Sequence, residues 1–206
     1  MEAGLNLDTA QLLALAAALG WTSGLRLYAV VFLTGLAGHL GLVELPAGLQ
    51  LLQQPALLWG SGALLLVEFV ADKVPLVDSA WDAVHTVIRI PAGAALAAGV
   101  FGIDAGQMAV LAGLMGGTLA ATSHVAKAST RAAVNTSPEP FSNIAMSLLG
   151  DAAVPVMLWL SWVSPTTFYI ALALALIAAV ALIAFLFKFV RALWRRVTGR
   201  GRAAIA

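Results

Sequence analysis

Ionisable residues are scarce in this chain, ten Asp and Glu and eleven Lys and Arg among 206 residues that are 61% hydrophobic. Those inside long apolar runs are candidates for chemistry, because a charge at bilayer depth is costly and turns toward the protein interior or water. Arg26 is the clearest, midway along the apolar stretch 9–41 and just after Gly20-Trp21-Thr22-Ser23-Gly24. A helix broken there would line a cavity with freed backbone groups and give the guanidinium a substrate to hold or a gate to operate. The alternative is a structural ion pair. His124, Lys127 and Arg131 follow at i, i+3, i+7, with Asn135, Thr136 and Ser137 behind them. That cationic, hydroxyl-rich face could bind a phosphate or carboxylate through charge-assisted hydrogen bonds, or neutralise acids elsewhere in the chain.

Those acids are equally patterned. Glu68 and Asp72 stand four apart on one helix face beside Lys73, which suits a proton or cation site or a pair solvated at the membrane boundary. In the segment 75–89, Asp78, Asp82, His85 and Arg89 repeat at i, i+4, i+7, i+11, while Val77, Trp81, Val84 and Ile88 share another face. The pattern predicts an amphipathic helix, lying in the interface with Trp81 as anchor or turning its polar face to a pore. Asp78, Asp82 and His85 offer the donor types for a divalent ion, yet such groups are ordinary on interfacial helices and no resident metal is expected. Asp151 lies deep in the fifth apolar run with no charged neighbour in its own helix. It is either a coupling-proton carrier or the structural partner of Arg26, Lys127 or Arg131.

Several functions lack support. There is no cysteine, hence no disulfide, thiol nucleophile or thiolate-ligated metal. HExxH, GxSxG, Walker and SxxK sequences are absent, so neither an enzyme nor a cofactor is expected. The net charge of +1, with most basic residues in the C-terminal tail, points to a membrane surface rather than nucleic acid. Asn135-Thr136-Ser137 matches a glycosylation sequon but reads as a cap-rich loop on the cytoplasmic side.

The elements that must position these residues are apolar helices. Phe168 to Phe187 contains no charge, Pro or Gly, and about 20 such residues cross a ~30 Å hydrocarbon core. Six spans are expected, roughly 9–41, 56–72, 87–102, 105–126, 142–163 and 166–190, with a break or kink at 20–24 and an outside loop at 42–55. The N-terminus lacks the basic region of a signal peptide, so the first helix is expected to be retained. Lys73, Arg89, Lys127 and Arg131 fall in segments on the side of the basic tail, and the opposite loops hold no Lys or Arg. The positive-inside rule therefore predicts a multi-pass protein of a bacterial inner membrane with both termini cytoplasmic.

Asp8-x-x-Gln11 with Gly20-x-Thr22 recurs 96 residues later as Asp104-x-x-Gln107 with Gly116-x-Thr118, and the 71–75 segment faintly echoes 150–155. A single transmembrane domain, 1–206, would then hold two inverted three-helix halves, 8–102 and 104–190, with broken or re-entrant polar segments and a basic tail at 191–206.

Three blocks, GWTSGLRLYAVVF, VEFVADKVPLVDSAWDAVHTVIR and ATSHVAKASTRAAVNTSPEPFSNIAMSLLGD, resemble a bacterial membrane family known as a domain of unknown function, number four-one-two-six. The resemblance runs from about Gln11 to Val190. It implies the membrane fold and that the polar blocks belong to the domain's identity, and it carries no activity.

The expected function is a small secondary transporter or channel-like permease for a small anion or anionic lipid headgroup, coupled to protons. Arg26, His124, Lys127, Arg131 and Asn135 would bind substrate, and Glu68, Asp72, Asp78, Asp82, His85 and Asp151 would carry the coupling ion or proton. The rivals are a divalent-cation pathway and a structural or lipid-binding module without transport. The bilayer and the small ion or lipid are the expected partners, with assembly into a homo-oligomer as a further option.

Overall fold

The computed structural model describes residues 7–74, 76–102, 105–135 and 140–203. Pro75, Asp104 and Thr136-Ser137-Pro138 lie outside the described residues. Six α-helices account for nearly all of the rest: α1 Thr9–His39, α2 Pro55–Ala71, α3 Val77–Phe101, α4 Gln107–Val134, α5 Pro140–Val163 and α6 Pro165–Ala203, with a 3-10 helix at Ala47–Gln53. Five helices are long and apolar enough to cross a bilayer, or six if the 3-10 helix and α2, which meet at 69°, form one bent span. Asp8 opens α1 with a capping box, its carboxylate accepting from the Gln11 amide at 2.7 Å while the Gln11 side chain accepts from the Asp8 amide at 2.8 Å.

Burial is inverted relative to a water-soluble protein. Along α3, Asp78, Asp82, His85 and Arg89 are buried while Val84, Val87 and Ile88 are exposed. A polar face turned inward and an apolar face turned outward satisfy a lipid solvent. The segment at 75–89 is therefore no interfacial helix, because Asp78 to Arg89 continue into the third span as one helix. The cationic segment likewise continues α4 to Val134. The expected outside loop at 42–55 contains the 3-10 helix, with Leu49 and Leu52 buried in the core.

The break in the chain is in α1. It falls at Arg26, whose φ of −151° and ψ of 87° are extended rather than helical, two residues past the expected site. Tyr28 meets His85, Gly20 lies against Gly93, and the 3-10 helix that packs on Gly35 also packs on Gly99. Both arms of α1 thus lead from the level of His85 toward the Gly99 end of α3, so α1 doubles back at Arg26. The first arm starts beside Tyr169, whose hydroxyl donates to the Ala10 carbonyl at 2.8 Å. Carbonyls near the break find donors on α4: Ser123 Oγ reaches the Trp21 oxygen at 2.7 Å and Lys127 Nζ the Leu25 oxygen at 2.8 Å.

Close approach of α1, α3 and α4 depends on small residues. A Cβ on Gly20 would come within 2.5 Å of Gly116 Cα, and one on Gly24 would overlap the Ala120 carbonyl. Gly24→Ala is expected to destabilise by about 1–3 kcal/mol, since backbone cannot give way as a side-chain tip can. Gly60→Ala, where no atom beyond its own helical turn lies within 4 Å, should be neutral to slightly stabilising, because alanine is the better helix former. Unfolding of both variants in detergent measures the difference.

Gly20 with Gly116 and Gly24 with Ala120 are pairs at the 96-residue displacement, so the matched segments touch. They run in the same sense along this contact, and α1 is broken where α4 is continuous. Halves related by inversion would set the two helices in opposite senses, so α1 and α4 do not have the arrangement expected of inverted repeats.

Candidate functional site

The bend in α1 places Arg26 where four helices converge. Its guanidinium, 1% exposed, bridges Asp72 at 2.9 Å and Asp151 at 2.8 Å, and donates to the Ser147 hydroxyl at 2.9 Å and the Ser147 carbonyl at 3.2 Å. Asp72, capping the end of α2, also takes Arg131 at 2.8 Å and Lys127 at 3.1 Å. Lys127 reaches Asp82 at 3.3 Å, and Lys73 supports Asp151 at 3.2 Å. Deeper in the bundle Arg89, wholly buried, clasps Glu68 and Asp82 at 2.6 Å each.

Five cations, Arg26, Lys73, Arg89, Lys127 and Arg131, thus face five carboxylates, Glu68, Asp72, Asp78, Asp82 and Asp151, each with an opposite charge within 4.0 Å. Balance is what the medium demands. An unpaired buried ion costs several kcal/mol, and mutual attraction with good hydrogen bonding offsets that cost.

The network is not sealed. A cavity of about 550 Å³ opens between α1, α4, α5 and α6. One wall carries Arg26, Lys127, Arg131 and Asp72, and the other is apolar, with Met146, Leu149, Ala175, Ala178 and Leu182. Each of these three cations is paired with a carboxylate, Asp72, Asp78, Asp82 or Asp151, and most of the cavity surface is apolar. A larger groove of about 1220 Å³ at the Gly102 end of α3 is lined mainly by Ala and Gly with no charged side chain, so it offers no comparable chemistry.

The remaining sequence candidates sit behind the cavity wall. His124 bonds Thr86 at 2.8 Å and Arg89 at 3.3 Å. His85 bonds the Tyr28 hydroxyl at 3.0 Å and the Trp81 carbonyl at 2.7 Å, and stacks on the Trp81 ring at 4.2 Å. Asn135 donates to Asp78 at 3.0 Å and Ser79 at 2.9 Å. Asp78 and Asp82 are thus committed to cationic and amide donors, sharing Arg131 at 3.8 and 3.6 Å, while His85 is held by Tyr28 and Trp81. Among the described residues no group of three or more His, Asp or Glu is placed to hold a metal ion.

Sequence reading undervalued Arg89, Lys73, Ser147 and Asn143. Arg89 completes the Asp78-Asp82-His85 stripe, and Asn143, Ser147 and Asp151 repeat at i, i+4, i+8 in an otherwise apolar helix. That second stripe was a legible signal, since polar residues one turn apart in a span share one inward face.

Fold and site together define a multi-pass α-helical membrane protein built around a buried, charge-balanced network with a cavity beside it. The chain belongs to the family described as Domain of unknown function (DUF4126), whose profile matches residues 13–185. No curated protein and no solved structure matches it.

Proposed function

We propose that the protein is a permease for a small anion or an anionic headgroup, which it binds in the cavity between α1, α4, α5 and α6. The observation that carries this reading is the cavity wall of Arg26, Lys127 and Arg131 facing an apolar wall. The same wall disfavours a divalent cation as cargo.

In this reading α1 is a re-entrant hairpin, α2 to α6 cross the bilayer, and α1 begins on the side opposite the basic tail. Positive-inside bias then leaves the tail cytoplasmic and the start of α1 outside, in place of two cytoplasmic termini. Broken helices whose ends meet a polar site are a recurrent way to hold cargo in transporters.

Charge balance supplies the coupling. An anion added to a neutral network leaves one uncompensated negative charge, and a proton on a carboxylate removes it. Asp151 is the carboxylate for this step, because it is 21% exposed whereas Glu68, Asp72, Asp78 and Asp82 are 3% exposed or less. Purified protein in liposomes should take up an anion together with protons, and Asp151→Asn should uncouple the two, leaving anion flux that no longer responds to a pH gradient. Absence of anion flux from the wild-type protein would end the proposal, and unchanged coupling in Asp151→Asn would remove Asp151 from it.

A further inference from the structure

The bend in α1 ends a half-helix at Leu25, one residue before the break. Carbonyls at a helix C-terminus carry partial negative charge and lack partners within the helix. In broken-helix carriers such carbonyls hold the coupling cation. Here a side chain takes that place. Lys127 Nζ lies 2.8 Å from the Leu25 oxygen, 3.1 Å from Asp72 Oδ2 and 3.3 Å from Asp82 Oδ1. The bend of α1, the end of α2 and α3 thus each bring one oxygen to a single ammonium, which has three N–H bonds to meet them. Asp82, 2% exposed, keeps a further acceptor, since its Oδ2 is buried without a hydrogen-bond partner and Arg131 comes no nearer than 3.6 Å.

We infer that the Leu25 carbonyl, Asp72 and Asp82 form a site for a monovalent cation, and that Lys127 is its tethered occupant. The inference goes beyond the permease reading and does not depend on it. Charge selects the class of ligand. Without Lys127 the network holds four cations against five carboxylates, so one positive charge restores neutrality and two overshoot it. Oxygens 2.8 to 3.3 Å from the centre suit ammonium, and potassium, which is of like size. Lys127 also lines the cavity between α1, α4, α5 and α6, with 11% of its side chain exposed, so truncating it opens the cavity onto the three oxygens. The protein carries its own cation at the bend and needs none from solution.

The test replaces Lys127 by alanine in the full chain and follows thermal unfolding in detergent, with the chlorides of potassium, ammonium or N-methylglucamine at equal ionic strength. Lys127→Ala is expected to fold, because Arg26 and Arg131 still hold Asp72 and Arg89 still holds Asp82. Potassium and ammonium should stabilise it saturably relative to the bulky N-methylglucamine, by about 5–10 °C at about a hundredfold excess over the dissociation constant. The wild-type protein should melt alike in the three salts. Lys127→Ala combined with Asp82→Asn, which removes one ligand and the excess negative charge, should do the same. Equal melting of Lys127→Ala in all three salts overturns the site, as does a matching potassium response in the wild type or in the double variant. A Lys127→Ala chain that stays unfolded even in potassium and ammonium overturns it too. No arm measures anion flux, so the permease reading stands or falls separately.

Discussion

Arg89→Met is expected to destabilise the protein by at least about 3–5 kcal/mol, the cost of leaving a buried carboxylate without its partner. Arg89 is the sole ion-pair partner of Glu68 among the described residues, and both side chains are fully buried. Asp82 suffers less, because Lys127 at 3.3 Å and Arg131 at 3.6 Å remain. The damage therefore concentrates on Glu68, and a second change should repair it. Arg89→Met combined with Glu68→Gln replaces the pair by neutral groups of similar volume and should recover more than half of the loss. Denaturation in mixed micelles measures both. A single variant as stable as the wild type would mean that water reaches Glu68, contrary to the burial described.

Arg26→Met together with Arg131→Met is expected to reduce anion flux in liposomes by at least about a hundredfold. Hydrogen bonds to charged groups are worth about 1.5–3 kcal/mol each, and two cations of the cavity wall are lost at once. The pair also deprives Asp72, which both arginines hold, at 2.9 and 2.8 Å. A fall in flux could then reflect an unfolded protein. Adding Asp72→Asn and Asp78→Asn separates the two effects by removing both stranded charges, since Arg131 is the ion-pair partner of Asp78 as well. The quadruple variant should regain stability and remain inactive if the arginines bind cargo. Recovery of both stability and flux would reduce them to structural partners of Asp72.

Much of the site was visible before any coordinate, for one reason. In a membrane span nearly every polar residue must face inward, so spacing alone assigned Asp78, Asp82, His85 and Arg89 to one face and Lys127 and Arg131 to another. The break in the first helix was visible in the same way, from a stretch too long for one crossing that held Gly20, Gly24 and Arg26. What spacing left open was depth. The stripe from Asp78 to Arg89 has the amphipathic pattern of an interfacial helix, and only its packing on α1 and α4 shows that it lies inside the bundle.

The amino-acid sequence by itself determined the solvent, the helical class, the family and the identity of the scarce charges, because hydropathy and side-chain periodicity are local properties of the chain. The tertiary structure decided who pairs with whom. Arg26 reaches Asp72 and Asp151 only because α1 doubles back at its own backbone, and the touching glycines of α1 and α4 bring Lys127 to the freed Leu25 carbonyl. These are contacts between residues about 50 to 125 positions apart. Their distances depend on the hand and angle of helix packing, which no local pattern specifies.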